Sequence, residues 1–418
     1  MNRRTLVILA FIIGVIAIGF VLYIMFFKPL PPAVNQNGNL NTNSVLPNIN
    51  GNVNRPQNVN GGLPNINTAN VNKPTANVNA GPAVIADGGD TQVKTLISAN
   101  AFDTVIDAKG NLRYYDKASG QFFKLDENGN LIALSQVKFP EAEDIAWSPS
   151  RSQVIVSFPD DSKIFYDFEN KKQATLPKEG QDFSFDPTGT QIAFKYNAAN
   201  EADRFLVVSS PDGSSITPIE PLGENGSRVQ VNWSPNNQVI ATYSPGLNDT
   251  SQEVLLVGKN GETFKSIATA GRGFEGTWSS NGQQMLYSVY NAQTNYNPTL
   301  YIVNAQGDAA GTNNRPLEIN TWSDKCTFNK AGTSIYCAVP DTSSLPAGSG
   351  IYRNQANNTT DSFYSVDLLT GAKNKLAVPV GSDGSRQFSA KNLWLSADGS
   401  TLYFTDGPTG KVLEMKIH

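Results

Sequence analysis

Histidine is almost absent from this sequence. Its 418 residues include a single histidine, His418. Histidine is the side chain that most often acts as a general base, activates a nucleophile or binds zinc. Its scarcity therefore excludes Ser-His-Asp hydrolases, Cys-His peptidases and enzymes whose zinc is held by histidines.

Charged residues are also scarce, at 16% of the chain, while 39% of the residues are hydrophobic. The polar remainder is mostly Asn, Gly, Ser and Thr. The 35 glycines and 24 prolines disfavour long helices, because both residue types destabilise helix interiors, and the abundant Tyr and Phe favour strands. We therefore expect an all-β protein.

The long apolar segment of the chain is residues 5–27, which carries no charge. At a rise of about 1.5 Å per residue, a helix of this length spans the roughly 30 Å hydrocarbon core of a bilayer. A cleaved signal peptide is the alternative, but it has a shorter apolar region and a small-x-small cleavage site. Arg3 and Arg4 precede the segment and Lys28 follows it, which predicts a signal-anchor helix, a short cytoplasmic tail at residues 1–4 and an extracytoplasmic remainder, in the periplasm or at the cell surface.

Residues 28–90 are rich in Asn and Pro. The sequence LPNIN occurs at 46–50 and again at 63–67, and no aromatic residue follows Phe27 before residue 91. Low hydrophobicity without periodicity predicts a disordered linker, which at this length has an r.m.s. span of roughly 40–50 Å. The alternative is that this tract binds envelope polymer or associates with itself.

Residues 91–418 contain a repeated unit of two apolar strands joined by a tight polar turn, followed by a third strand, a Gly- or Asn-containing turn and a fourth strand. Such a unit is typical of a β-propeller blade. We predict seven four-stranded blades, with six or eight as alternatives. One bulky apolar residue near the end of the first strand marks each unit; these register residues are Ile106, Trp147, Phe185, Trp233, Trp278, Phe328 and Leu395.

The last unit supplies only three strands, ending at residues 411–417. A strand-like segment at residues 91–98 precedes the first unit. Pairing of these two segments would close the ring and leave no unpaired edge between the first and last blades. We therefore predict that the N-terminal strand completes the final blade.

The turns also carry a family resemblance. WSPS at 147–150, FDPTG at 185–189, WSPNN at 233–237 and SADG at 396–399 resemble the WD-like repeat of TolB-type periplasmic proteins, which also occurs in the propeller domains of prolyl-oligopeptidase-type peptidases. The resemblance implies the fold and suggests an accessory part in an envelope complex. It assigns no functional residue, because the shared positions are core and turn positions. The G-x-S-x-G motif of the peptidases is absent from the sequence.

Tryptophan recurs as a register residue at Trp147, Trp233 and Trp278. A sugar-binding aromatic platform would be one interpretation of this recurrence. Phe, Leu or Ile occupies the same position in the other units, however, so the position requires bulk rather than an indole ring. We therefore interpret these tryptophans as packing between blades.

Cys326 and Cys337 flank the turn of the sixth unit, and they face each other if Phe328 opposes Ile335. A cross-strand disulfide is then possible, and an exported domain with two matched cysteines favours it over two reduced core thiols. Neither state is catalytic, because the C-x-x-C spacing of dithiol enzymes is missing.

Neighbouring acidic residues, such as Asp160 with Asp161 and Glu141 with Glu143, match no calcium-binding motif. A pair of glycosidase carboxylates cannot be recognised from sequence, because its members lie far apart along the chain. We expect no catalytic residue, no cofactor and no metal. A net charge of −4 without a basic run argues against nucleic acid as a partner.

The connections between second and third strands are enlarged at 197–203, 244–252, 290–298 and 340–361, which a propeller places on one face. Loops on a rigid scaffold commonly bind partners, and neutral surface insertions are the alternative. We expect a protein, peptide or glycan partner here. The candidate binding residues are of types enriched at recognition hot spots and are Tyr290, Tyr296, Tyr352 and Arg353.

These patterns predict a membrane-tethered, non-catalytic binding or scaffold module for a protein, peptide or envelope polymer. A His-independent propeller enzyme is one alternative, either a carboxylate-based glycan hydrolase or a lyase. Convergence of Asp, Glu and Arg side chains at the mouth of the central channel would favour that enzyme. An accessory subunit of an envelope complex is the other alternative, and a stable membrane partner would favour it.

Overall fold

The computed structural model describes residues 81–418, except 99, 127, 247, 249, 261, 263 and 345–349. The predicted membrane-spanning segment 5–27 and nearly all of the predicted linker lie outside these residues. No helix in the described part of the chain is long and apolar enough to cross a membrane.

Seven sheets form the seven predicted blades, each an antiparallel set of four strands, and β1 adds a fifth strand to the sheet of blade 6. Two short strands precede the first blade, β1 (Asp90–Gln92) and β2 (Lys94–Ile97). Blade 1 contains β3 (Ala101–Ile106), β4 (Leu112–Asp116), β5 (Gln121–Leu125) and β6 (Leu131–Ala133). Blade 2 contains β7 (Asp144–Trp147), β8 (Gln153–Ser157), β9 (Lys163–Asp167) and β10 (Lys172–Leu176). Blade 3 contains β11 (Gly180–Phe185), β12 (Ile192–Tyr196), β13 (Phe205–Ser209) and β14 (Thr217–Pro221).

The remaining blades repeat the same order along the chain. Blade 4 contains β15 (Val229–Val231), β16 (Val239–Tyr243), β17 (Gln252–Gly258) and β18 (Ile267–Thr269). Blade 5 contains β19 (Arg272–Trp278), β20 (Gln284–Tyr290), β21 (Thr299–Asn304) and β22 (Arg315–Pro316). Blade 6 contains β23 (Cys326–Phe328), β24 (Ser334–Pro340), β25 (Asp361–Asp367) and β26 (Lys373–Val380). Blade 7 contains β27 (Ala390–Leu395), β28 (Thr401–Asp406) and β29 (Val412–Lys416).

Helical structure in the described residues is confined to one or two turns within connections. One of them is an α-helical turn, α1 (Arg353–Ala356), in the connection between β24 and β25. The others are 3-10 turns at Glu201–Asp203, Gly223–Arg228, Ala292–Thr294, Gly307–Ala309, Ser323–Lys325 and Thr342–Ser344.

The blades pack through both faces of their strands. In β8, Val154 and Val156 pack in a cluster with Phe122 of blade 1, whereas the intervening Ile155 packs in a cluster with Phe185 of blade 3. Successive side chains of a strand point to opposite faces, so one apolar strand serves two interfaces. This arrangement explains why the second strands read as continuous apolar runs rather than as alternating ones.

The register residues lie in these interfaces. Trp147, Trp233 and Trp278 are buried, and each packs with residues of its own blade and of the preceding blade. Their interpretation as interblade packing is confirmed.

The ring closes as predicted, because β2 pairs antiparallel with β29 and supplies the fourth strand of blade 7. The segment expected to form one strand is divided, however. β1 instead pairs in parallel with β26 of blade 6, and between the two strands the buried Val93 donates its N–H to Val380 O at 2.9 Å. The N-terminal segment therefore fastens the outer strands of two adjacent blades.

Contacts with the propeller begin before residue 91. Ala86 N donates to Lys416 O of blade 7 at 2.9 Å, and within the segment itself Ala83 N donates to Asp90 O at 2.8 Å. Residues 83–97 thus form a strap along the outer edges of blades 6 and 7, and this name is kept below.

Candidate functional site

The enlarged connections and the first residues of the inner strands share one side of the propeller, here called the loop face. Asp144, which begins β7, pairs with Ser157, which ends β8, so the start of an inner strand lies beside the following connection. The first strand of each blade, here called its inner strand, is an edge of its sheet. Inner strands of neighbouring blades, such as β7 and β11 or β27 and β3, contact one another. The loop face therefore surrounds the entrance of the central channel.

Tyr290 and Trp322 form the base of the predicted binding surface. Tyr290 ends β20, and its ring lies edge-on to Trp322 with 6.1 Å between centroids. The buried Trp322 donates from Nε1 to Ile351 O at 3.1 Å, and Ile351 and Ala356 pack against it. These contacts hold the connection of blade 6 against blade 5.

Arg353 lies on this base and bridges two blades. Its Nε donates to Glu275 Oε1 at 3.0 Å, a second guanidinium nitrogen contacts the carboxylate of Asp324, and the guanidinium carbon lies 4.7 Å from the centre of the Trp322 ring. Burial lowers the pKa of Arg353 to about 10, which leaves the side chain charged at neutral pH. Arg353 therefore positions the loop as well as contributing to its surface.

Tyr296 and Tyr352 form the accessible part of the surface, with exposed fractions of 42% and 61%. The two loops that carry them touch, because a Cβ placed on Gly350 would lie 2.7 Å from Tyr296 O. The structure thus brings all four sequence-predicted binding residues to adjoining loops of blades 5 and 6. We call Tyr290, Tyr296, Trp322, Tyr352 and Arg353 the aromatic surface.

Sequence reasoning missed a set of acidic residues at the channel entrance. In blades 1, 2, 3 and 5 the residue three positions before the register residue is acidic, and each lies in the first half or at the middle of an inner strand. Comparing the repeats at that position, rather than looking for adjacent acidic residues, would have revealed them. These channel carboxylates are Asp103, Asp144, Asp182 and Glu275.

The channel carboxylates influence one another electrostatically. Burial and, to a lesser extent, the charge of Asp144 raise the pKa of Asp103 to about 7, although Arg151 and Lys391 act to lower it. Burial and the charge of Asp182 also raise the pKa of Asp144. Like charges that lie close together favour the protonated form. Asp103 therefore changes its charge near neutral pH.

Two of the channel carboxylates are neutralised within the chain, since Asp182 contacts Lys195 Nζ and Glu275 contacts Arg353. Within the described residues Asp103 and Asp144 form no ion pair. The side of blades 1 and 2 therefore keeps two carboxyl groups without an ion-pair partner among the described residues, and Asp103 becomes fully charged only above about pH 7.

The described residues contain no group of three or more His, Cys, Asp or Glu side chains placed to hold a metal ion. A cavity of about 350 Å³ lies between blades 3 and 4 and is lined in part by Leu222, Tyr243 and Phe264. None of the predicted binding residues lines this cavity.

In the sixth blade Cys326 lies directly opposite Cys337, and Phe328 lies opposite Ile335. A disulfide joins the two cysteines in the structure. Both are buried in the interface between blades 5 and 6, so the bond supports packing and does not belong to a reactive site.

Comparison with known proteins supports the fold. No family model and no curated protein matches the sequence. The structure resembles the β-propeller domain of Myceliophteria thermophila Cps50 (Swd1), with a TM-score of 0.53, 9% identity, and coverage of 78% of this chain and 100% of that one. It also resembles an oligogalacturonate lyase solved in complex with manganese, with a TM-score of 0.52, 12% identity, and coverage of 78% and 93%.

A prolyl endopeptidase is a third similar structure, with a TM-score of 0.50, 11% identity, and coverage of 77% of this chain and 50% of that chain. Identities this low show a common fold and carry no information on ligands.

Proposed function

We propose that the protein is a membrane-tethered, extracytoplasmic propeller that binds a partner through its loop face and catalyses no reaction. The observation that carries this proposal is the aromatic surface, which two adjacent blades build beside the acidic channel entrance. Tyr, Trp and Arg are the residue types that dominate binding hot spots.

The aromatic surface is held in place before any partner arrives. Arg353 spans Glu275 and Asp324 across the blade boundary, and Trp322 is hydrogen-bonded to the backbone at Ile351. A loop that is already ordered loses less conformational entropy on binding. Preorganisation of this kind is expected of a binding loop and not of a neutral insertion. It therefore supports the interpretation of these connections as binding loops.

The charge at the channel entrance favours a cationic partner. Asp103 and Asp144 lie on the same face as the aromatic surface and would attract Lys or Arg side chains of a protein or peptide. An acidic envelope polymer would be repelled by the same carboxylates. We therefore propose a basic segment of an envelope protein as the ligand.

Tethering to the membrane rests on the apolar segment 5–27 and on the flanking positive charges. The resemblance of the turns to TolB-type proteins supports a role within an envelope complex. In that role the propeller would present its loop face to another exported component.

The test is photo-crosslinking of the full-length protein in intact cells, with a photoreactive amino acid at position 296 or 352. Leu369, with an exposed fraction of 89%, lies in the turn between β25 and β26 and serves as the control on the opposite face. We expect one protein to be captured from positions 296 and 352 and not from 369. Purified Tyr296→Ala/Tyr352→Ala should bind that protein about tenfold or more weakly, whereas Leu369→Ala should bind it normally. Equal capture from both faces would contradict the proposal.

A carboxylate-based glycan hydrolase is a second candidate, because the charge of Asp144 acts on Asp103 and the pKa of Asp103 is raised to about 7. A general acid in a glycosidase requires such a raised pKa. A lyase acting on an acidic polymer is disfavoured by the negative entrance. Release of reducing ends from neutral glycans by the wild type, abolished in Asp103→Asn and retained in Asp160→Asn, would establish the hydrolase.

A further inference from the structure

Lys325 and Asp361 form a fully buried ion pair beneath the loop face. Lys325 ends the 3-10 turn Ser323–Lys325 and Asp361 begins β25, and each has an exposed fraction of 1%. The Nζ atom of Lys325 lies 2.9 Å from Oδ2 of Asp361. In the other close lysine pairs, those of Lys94, Lys163, Lys195 and Lys373, at least one partner keeps substantial exposure.

The hydrogen bonds of this pair are unevenly distributed. Lys325 Nζ also donates to Ala356 O at 3.1 Å, and Asp361 Oδ2 also accepts from Ala390 N at 2.6 Å. The second carboxylate oxygen, Oδ1 of Asp361, is buried and has no hydrogen-bond partner among the described residues. Two buried charges with an unpartnered oxygen are unfavourable, because both ions have lost their hydration.

We propose that Lys325 and Asp361 condense to an intramolecular amide that links their side chains. Nζ forms a bond to the carboxyl carbon of Asp361, and the bond from that carbon to Oδ1 breaks. The two protons that Nζ gives up leave with Oδ1 as one water molecule. The positive and the negative charge disappear together, so the reaction needs no oxidant, no reductant and no other reagent.

The surroundings match the product better than the ion pair. The single N–H of the amide retains the acceptor Ala356 O, and the amide oxygen, formerly Oδ2, retains the donor Ala390 N. The oxygen that departs is the one without a partner. Every polar atom of the linkage is then satisfied, and no charge remains buried.

Burial also shifts Asp361 towards the neutral carboxylic acid that amide formation requires. The pKa of Asp361 is raised to about 6, mainly by burial and to a small extent by the charge of the buried Asp406. The charge of Lys325 and the hydrogen bonds from Lys325 and Ala390 act to lower it. Proton transfer from the ammonium to the carboxylate within the site yields an amine in contact with a carboxylic acid. The N–H of Ala390 is placed to stabilise the negative charge that develops on Oδ2 as the amine attacks.

The linkage would fasten the long connection of blade 6 at its base. It joins the residue before the disulfide-bonded Cys326 to the first residue of β25, so residues 326–360 become a covalently closed loop. That loop carries Tyr352 and Arg353 of the aromatic surface. This inference is independent of whether the surface binds the proposed partner.

The test is the mass of the folded full-length protein after reduction of its disulfide. We expect the wild type to be lighter than its sequence by one water molecule, and a proteolytic digest to contain one peptide pair joined through Lys325 and Asp361. Asp361→Asn should instead lose one ammonia molecule, because the amine then displaces an amide nitrogen. Lys325→Arg should have its full sequence mass.

Lys163→Arg is the matched control, since Lys163 is buried but its partner Asp161 is 79% exposed. This variant should retain the loss of water. A wild type of full sequence mass overturns the proposal, and this measurement does not depend on whether any variant folds. Loss of water that persists in Lys325→Arg also overturns it, because dehydration at an Asp-Gly pair such as Asp398-Gly399 would then be the source.

Discussion

Trp147 of blade 2 donates a hydrogen bond from its indole Nε1 to the main-chain carbonyl of Asp103 in blade 1, at 3.0 Å. Trp278 of blade 5 makes the equivalent bond to Asn232 O of blade 4, at 3.1 Å. A register tryptophan therefore does more than fill space. In blades 2 and 5 it fixes the inner segment of the preceding blade, and in blade 1 that segment carries a channel carboxylate. Trp233 instead donates to Asn237 Oδ1 within its own blade at 2.7 Å.

Replacement of Trp147 by Phe should destabilise the propeller. Phe keeps an aromatic ring in the interface, but Asp103 O loses its indole donor. A buried polar group left without its partner costs about 1–2 kcal/mol. Urea unfolding should show this decrease in the free energy of unfolding.

Trp394→Phe is the matched comparison, because Trp394 Nε1 is buried and has no hydrogen-bond partner among the described residues. Removal of an unpaired donor should be neutral or stabilising. Equal destabilisation by the two substitutions would show that the interblade hydrogen bond of Trp147 contributes nothing.

Stability should depend on pH through Asp103. Its pKa is about 7 in the folded protein against an ordinary value of 3.8, so the folded state holds this proton more tightly than the unfolded chain does. The free energy of unfolding should therefore rise as the pH falls from about 8 to about 5, and this gain is lost as the pH rises through about 7. Because Asp103 is only partly buried, we expect a change of about 1–2 kcal/mol rather than the full value of the shift.

Asp103→Asn should remove most of this pH dependence and should stabilise the protein at about pH 8. Asp160→Asn is the control, because hydrogen bonds from Ser162 lower the pKa of Asp160 and place its titration below this range. Urea unfolding of the three proteins across this range provides the measurement. An unchanged pH dependence in Asp103→Asn would contradict the assignment.

The blades could be predicted because their signals are local. Each tight turn and the apolar strands beside it lie within about fifteen residues, and the register residue recurs in every unit. The opposition of Cys326 and Cys337 also followed from counting across one hairpin, and the structure shows this register.

The features that sequence reasoning missed depend on relations between blades. The division of residues 91–98 into two strands requires knowledge that blades 6 and 7 present adjacent outer edges to the chain. Trp322 joins the aromatic surface through contacts with Tyr290 and Ile351, and no local pattern in the sequence indicates those contacts.

The strap should be essential for closure of the ring. Val93 is 2% exposed, packs in the core between blades 6 and 7, and lies between the two strands that fasten them. Val93→Asp would bury an unpaired charge and should reduce the free energy of unfolding by about 3 kcal/mol or more. Hydrogen exchange in β29 should accelerate in this variant, because β2 covers the edge of that strand.

Lys94→Ala is the control for the strap, since the side chain of Lys94 is exposed and its ion pair with Glu414 lies on the surface. Exposed ion pairs contribute at most about 1 kcal/mol. If Val93→Asp has as little effect as Lys94→Ala, the propeller does not depend on the strap for closure.

The disulfide should stabilise blade 6 without determining its register. Cys326 and Cys337 are 11 positions apart, and closing a loop of this size in the unfolded chain contributes about 2–3 kcal/mol in the chain-entropy account. Cys326→Ala/Cys337→Ala should therefore fold with the same strand pairing, because Phe328 and Ile335 still pack in the interface between blades 5 and 6, but it should unfold at a lower urea concentration. Thiol titration of the unfolded, unreduced wild type should detect no free thiol. Detection of two free thiols, together with equal stability of the wild type and the double variant, would show that the cysteines are reduced core residues.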